Sequence, residues 1–192
     1  MKAPVFFFLL IVLTGCKNDN SNFIKYQMLI KKELATSKRS DSLFMGIYLG
    51  MRSIDFYTYC WQLNNKGLFT DGENNQAVLY KLDRSELKHP AAMNFYPEFY
   101  NDKIYKMRVM FNYVAWAPWN KQLQSDTLFG DVLNLYKKWY PHGNPFLRID
   151  DNKKGTIYVK VDDNRRIVIG RFDDMHVKVD YTDLSAEQQL KK

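Results

Sequence analysis

Two cysteines, three histidines and no long apolar run leave many familiar chemistries without material in this 192-residue chain. His89, His142 and His176 lie far apart, and no H-E-x-x-H or C-x-x-C spacing occurs, so a zinc centre has no local signature. Neither a phosphate-cradling glycine loop nor a G-x-S-x-G nucleophile turn is present. The longest apolar stretch, Ala3 to Leu13, has about eleven residues. A membrane-spanning helix needs roughly 20. No cofactor or metal is implied, and nothing in the residue pattern points to an enzyme.

The charge balance is basic, with 28 Lys and Arg against 21 Asp and Glu. The basic pairs Lys31-Lys32, Lys137-Lys138, Lys153-Lys154 and Arg165-Arg166 are separated by long neutral stretches. A nucleic-acid binder concentrates such charge on one face, so nucleic acid is not expected as a partner. Weak attraction to anionic lipid or lipopolysaccharide suits the scattered charge better. Hydrophobic content of 46%, with 16% aromatics, is ample for a packed core.

The front of the chain is the most specific segment. Met1-Lys2 carries a positive charge, the short apolar run follows, and small residues close it, which is the layout of a secretory signal peptide. The closing Leu13-Thr14-Gly15-Cys16 resembles the lipobox of bacterial lipoproteins. That resemblance implies cleavage after residue 15, diacylglyceryl transfer to the Cys16 thiol and acylation of the new amine. The mature chain then runs from Cys16 to Lys192, held in the cell envelope by its acyl chains. Lys17 favours the outer membrane by the enteric sorting pattern. Surface-displayed Bacteroidota lipoproteins carry an acidic cluster after the cysteine, and Asp19 alone answers to it here, so periplasmic and surface-facing orientations both stay open. With Cys16 acylated, Cys60 has no partner for a disulfide. Its aromatic neighbours in FYTYCWQL suit a buried, inert thiol.

Residues 16–42 are expected to form a lipidated tether with an amphipathic helix over Phe23 to Leu34, docked on the body or free as a stalk. The body, 43–184, reads as α+β. Leu43 to Tyr48 suggests a strand, and Ser53 a helix cap. The following helix places Phe56, Cys60 and Leu63 on one side, with Ile54, Tyr57 and Trp61 widening its apolar face. Gly67 stops it. Strands are expected at Ala77 to Leu82, Met93 to Phe99 and Lys103 to Val114. In the last of these, Tyr105, Met107, Val109, Phe111 and Tyr113 alternate with polar residues. Ser125 or Asp126 opens a second helix bearing Leu128, Val132, Leu135 and Trp139, ended by Pro141 and Gly143. Strands follow at Phe146 to Ile149, Thr156 to Val161, Arg166 to Phe172 and His176 to Tyr181. The fold expected is therefore a helix followed by an antiparallel β-meander, occurring twice, in halves of about 43–120 and 121–184. Residues 185–192 read as a fraying polar tail.

The segment LFMGIYLGMRSIDFYTYCWQLNNKG resembles the opening of small periplasmic lipoproteins of the BamE/SmpA–OmlA type. It also resembles the β-lactamase-inhibitor-protein-like fold, in which a Gly-Met-Thr turn enters a helix and a meander follows. Here Arg52-Ser53 stands in place of the usual Thr-Lys/Arg. CWQLNNKGL, MNFYPEFYNDKIY, WAPWNK and NRRIVI are similar to segments of a group of uncharacterised Bacteroidota lipoproteins. The first resemblance implies binding or assembly roles.

Three carboxylate pairs, Asp150-Asp151, Asp162-Asp163 and Asp173-Asp174, fall in expected turns, where Asp serves the backbone. The candidate ligand or partner surface comprises Trp116 and Trp119 of WAPWNK with Tyr96, Tyr100, Arg165 and Arg166, since aromatic rings and arginines dominate recognition surfaces. The competing reading packs the tryptophans over the sheet end as a lid on the core. Two function classes follow. One is a membrane-anchored, non-catalytic envelope protein that binds another protein in assembly or maintenance. The other is a small-molecule, glycan or peptide binding module with an aromatic surface. An open sheet face with exposed apolar residues favours the first, and a closed aromatic pocket the second. The anchor reading has a direct check. A Cys16→Ala chain should stay uncut by the lipoprotein signal peptidase and lack the acyl mass, as read by intact-mass spectrometry of the membrane fraction.

Overall fold

The structure, a computed structural model, describes residues 20–72, 77–151 and 155–191. The expected signal peptide, Cys16 and Lys17 lie outside the described residues. Helix α1 (Asn20–Ala35) comes first. Helix α2 (Ser53–Asn65) is followed by β1 (Phe69–Asp71), β2 (Val78–Leu82), β3 (Ala91–Tyr100) and β4 (Lys103–Tyr113). Helix α3 (Ser125–Trp139) is followed by β5 (Leu147–Asp151), β6 (Gly155–Asp162), β7 (Arg165–Arg171) and β8 (Val177–Asp183), and α4 (Leu184–Leu190) closes the chain. A helix followed by a four-stranded antiparallel meander thus occurs twice. The two meanders fuse into one eight-stranded antiparallel sheet, ordered β1-β2-β3-β4-β8-β7-β6-β5.

The seam between the halves is the β4–β8 pair, with Met107 opposite Tyr181, Val109 opposite Val179 and Phe111 opposite Val177. All six side chains are buried on the face that carries the main core. Helix α3 lies against β4, β7 and β8. Its Leu128, Val132 and Leu135 face inward as the spacing predicts, joined by Tyr136. Helix α2 turns Phe56, Cys60 and Leu63 to the same core and lies beside β1. Each large side chain of this kind contributes about 1.5–3 kcal/mol on full burial.

Several elements depart from the sequence reading. Leu43 to Tyr48 is not a strand. Met45 and Gly46 adopt positive φ, and the chain folds into a tight loop closed by the Leu43 amide on the Ile47 carbonyl at 2.9 Å. Leu43, Phe44, Ile47, Leu49 and Met51 are buried all the same, so the apolar pattern reflects burial rather than strand form. The three-residue β1 falls in the GLFTDG stretch, where Leu68 and Phe69 are the apolar residues and only Phe69 is buried. In β4 the alternation holds for Met107 to Tyr113 and then breaks. Pairing with β3 shifts between Glu98 and Phe99, so Tyr105 is the extra residue of a bulge and Ile104 takes the buried place. Ser53 does not cap α2. It is the first helical residue, and its hydroxyl donates to the Asp102 carboxylate. Nor does Ser125 or Asp126 cap α3, where Gln124 holds the cap position. The expected fraying tail is helical from Leu184. Asp183 accepts from the Ser185 and Ala186 amides, Leu184 is buried, and Arg166 pairs with Glu187 at 3.0 Å.

A buried ionic cluster fixes the link from α3 to β5. The ammonium of Lys160, 2% exposed, donates to the His142 carbonyl at 2.7 Å and to the Asn144 carbonyl, and lies 3.2 Å from the Asp162 carboxylate. Arg165 pairs with the same carboxylate at 3.1 Å and lies over the Tyr140 ring. Gly143 at φ +81° passes so close to Asp162 that an added Cβ would overlap its carboxyl group. Gly143→Ala therefore meets both a disfavoured φ and a clash, and should destabilise the chain by about 1–3 kcal/mol. Urea denaturation monitored by tryptophan fluorescence checks this, and an unchanged midpoint would show that the loop is not held as described.

Candidate binding surfaces

The six residues of the sequence-predicted surface do not come together. Arg165 points into the core face, where Asp162 and the Ser42 carbonyl take its donors. Arg166 points to the opposite face and bonds Thr182 at 3.2 Å and Glu187 at 3.0 Å. Both arginines are therefore engaged inside the protein. Tyr100 ends β3 at the β3–β4 turn, whereas Trp116 and Trp119 follow the far end of β4. An 11-residue strand separates them, roughly 35 Å at 3.3 Å per residue. The two tryptophans also part from each other. Trp116 is half-buried, and its indole Nε1 is buried without a hydrogen-bond partner among the described residues. Trp119 is 85% exposed. A hollow of about 340 Å³ lies at this end of the sheet, lined by His89, Pro90, Tyr113, Val114 and Leu123 among others.

The sheet face opposite the main core is divided. Over β5 and β6 it is covered by α1, whose Tyr26, Leu29, Ile30 and Leu34 pack on a second apolar cluster containing Ile149, Val159, Val161 and Leu184. Toward the centre it carries charge that is internally matched. Glu98 pairs with Lys106 at 3.3 Å and Arg108 at 2.5 Å, and Lys178 pairs with Asp180 at 3.0 Å. Burial alone would raise the Glu98 carboxyl pKa. The Tyr105 hydroxyl, donating at 2.9 Å, and the charges of Lys106 and Arg108 outweigh this and hold it below the usual range.

Part of the apolar surface left uncovered lies on helices. In α2 the residues expected to widen the core face turn outward instead. Ile54 is 60% exposed, Tyr57 48% and Trp61 67%. Their i, i+3 and i+7 spacing lines them along one side, opposite Phe56, Cys60 and Leu63. Tyr96 extends the strip across to the sheet, its hydroxyl 3.2 Å from that of Tyr57. Burial pushes the Cys60 thiol up to about 12, so it stays protonated and unreactive beneath the strip. The available signal for these residues was excess, because the apolar positions of SIDFYTYCWQL occupy more of the helix circumference than one buried face uses.

A cleft of about 510 Å³ lies at the β3–β4 turn, between the 39–50 loop and α4. Tyr48, Tyr100 and Tyr105 line it with Lys103 and Gln189. Arg39 spans it, bonded to Asp41 at 2.8 Å and Asp183 at 2.7 Å. Among the described residues no group of three His, Cys, Asp or Glu side chains converges to hold a metal. No helix among them is long and apolar enough to cross a membrane.

The Glu98 network gives a pH dependence. Because its folded pKa is depressed, its contribution to stability is present above the unfolded value of about 4.3 and is lost as pH falls through the folded value. Glu98→Gln should therefore lower the melting temperature near pH 7 and match the wild type at the acid end. Melting curves across this range decide it, and a difference that persists at the acid end would assign the loss to packing instead of charge.

No protein-family model, no curated protein and no solved structure matches the chain.

Proposed function

We propose that this chain is a non-catalytic lipoprotein of the bacterial cell envelope, anchored through Cys16 in the outer membrane, that binds another envelope protein in assembly or maintenance. The observation that carries the binding role is the outward face of α2. Ile54, Tyr57 and Trp61 form an aliphatic and aromatic strip on a rigid helix, continued by Tyr96. Large rings of this kind dominate protein interfaces because they bury much area at little entropic cost. The sheet's open central face is less suited to such a role, since its charges already satisfy one another.

A second reading rests on the cleft at the β3–β4 turn. Its volume falls in the range of small-ligand sites, about 300–1,000 Å³, and three tyrosines with Lys103 suit a sugar or a small anion. The predicted Tyr100 belongs to this cleft, and the predicted Tyr96 to the α2 strip.

A photo-crosslinking side chain at position 61 of the tagged, mature protein in its own envelope separates the two readings. Crosslinking to one protein should be strong. The pair Ile54→Ser and Trp61→Ser, probed with the crosslinker at position 57, should abolish it while each changes stability by under about 0.5 kcal/mol. Crosslinking unaltered by both changes, or capture of glycan alone through the cleft, would sink the protein-binding reading.

A further inference from the structure

Helix α1 has two unlike sides. Tyr26, Leu29, Ile30 and Leu34 face the sheet, with Phe23 at the rim of that side and its ring beside Tyr26, while Ile24 and Met28 face outward, at 56% and 65% exposure. The outward residues are not a chance scatter. Met28 is flanked on the same side by Lys25, Lys31 and Lys32 at helical spacings of three and four, and all three lysines are exposed. The helix's carboxylate, Glu33, is turned the other way and accepts from the Asp163 amide at 2.9 Å. Apolar side chains ringed by lysines are the composition of a helix that lies in the headgroup layer, its aliphatic groups below and its ammonium groups at the phosphates.

The covalent geometry narrows the occupant. Cys16 precedes the first residue of α1 by four positions, which even fully extended span only about 14 Å. If Cys16 carries acyl chains, the start of α1 cannot leave the membrane surface. The helix is also tied to the body, through Asn22 donating to the Arg148 carbonyl at 3.0 Å and Arg166 donating to the Tyr26 hydroxyl at 3.4 Å. It therefore cannot reorient without the sheet.

We propose that the outward side of α1, Ile24 and Met28 with Lys25, Lys31 and Lys32, docks on an anionic bilayer surface and sets the orientation of the whole protein. The sheet face that α1 covers over β5 and β6 then turns toward the membrane. The α2 strip, beside β1 at the other end of the eight-stranded sheet, faces away from it. This inference rests on the acylation of Cys16.

The test uses the acylated full-length mature protein in vesicles of phosphatidylethanolamine and phosphatidylglycerol. In a Cys60→Ala background, an environment-sensitive fluorophore is attached at Met28→Cys, or at Thr58→Cys on exposed α2 as the distant control. The fluorophore at 28 should shift to the blue, be quenched by headgroup nitroxide lipid and resist aqueous iodide, with the reverse at 58. Replacing phosphatidylglycerol by phosphatidylcholine, or Lys25, Lys31 and Lys32 by Gln, should weaken the shift. Acyl mass on Cys16 with an iodide-accessible label at 28 overturns the docking and leaves the anchor intact. So does a label at 28 protected only at high protein density, which would mark a second copy as occupant. Absence of acyl mass on Cys16 overturns both together.

Discussion

The antiparallel pairing of β4 with β8 is the contact on which the rest of the molecule depends. Each strand ends its own meander and would be an edge without the other, with a row of unpaired amides and carbonyls. Joined, they bring Met107, Val109, Phe111, Val177, Val179 and Tyr181 into one buried layer. Helix α3 follows the first meander and belongs to the second, yet it packs across the seam onto β4 as well as β7 and β8. Two small units that would each bury too little apolar surface thereby share a single core.

With one face of the sheet committed to that core, the other face has to be managed. The protein does so in two ways. Apolar strand residues at the β5–β6 side are covered by α1, while the central strands carry charge pairs that satisfy one another. The outer sides of α1 and α2, which lie near opposite ends of the sheet, each keep apolar side chains uncovered. The two proposals use this separation, partner binding on α2 and bilayer docking on α1.

Much of the fold is legible in the sequence wherever a period is sustained. The alternation from Met107 to Tyr113 and the helical stripe from Leu128 to Leu135 are where the reading places them. Short or irregular pieces are not legible. The 43–48 loop is as apolar as a strand because it is as buried as one, and hydropathy reports burial rather than backbone form. The bulge at Tyr105 depends on the register of a partner strand. The candidate surface was legible only in part. Aromatic content marks Tyr96, Tyr100 and Trp119, yet nothing local shows that Arg165 and Arg166, adjacent in sequence, point to opposite faces and into internal ion pairs.

The sequence by itself determined the class of fold, two helix-and-meander units, because periodicity and turn residues act over a few neighbours. It also carries Leu13-Thr14-Gly15-Cys16, whose resemblance to a lipobox is a matter of linear order alone. The tertiary structure alone decided that the two units share one sheet, since strand pairing across more than 60 residues leaves no local trace. It alone decided which apolar residues stay outside. Ile54, Tyr57 and Trp61 are as apolar as Phe56 and Cys60, and only the position of the sheet beneath α2 separates surface from core.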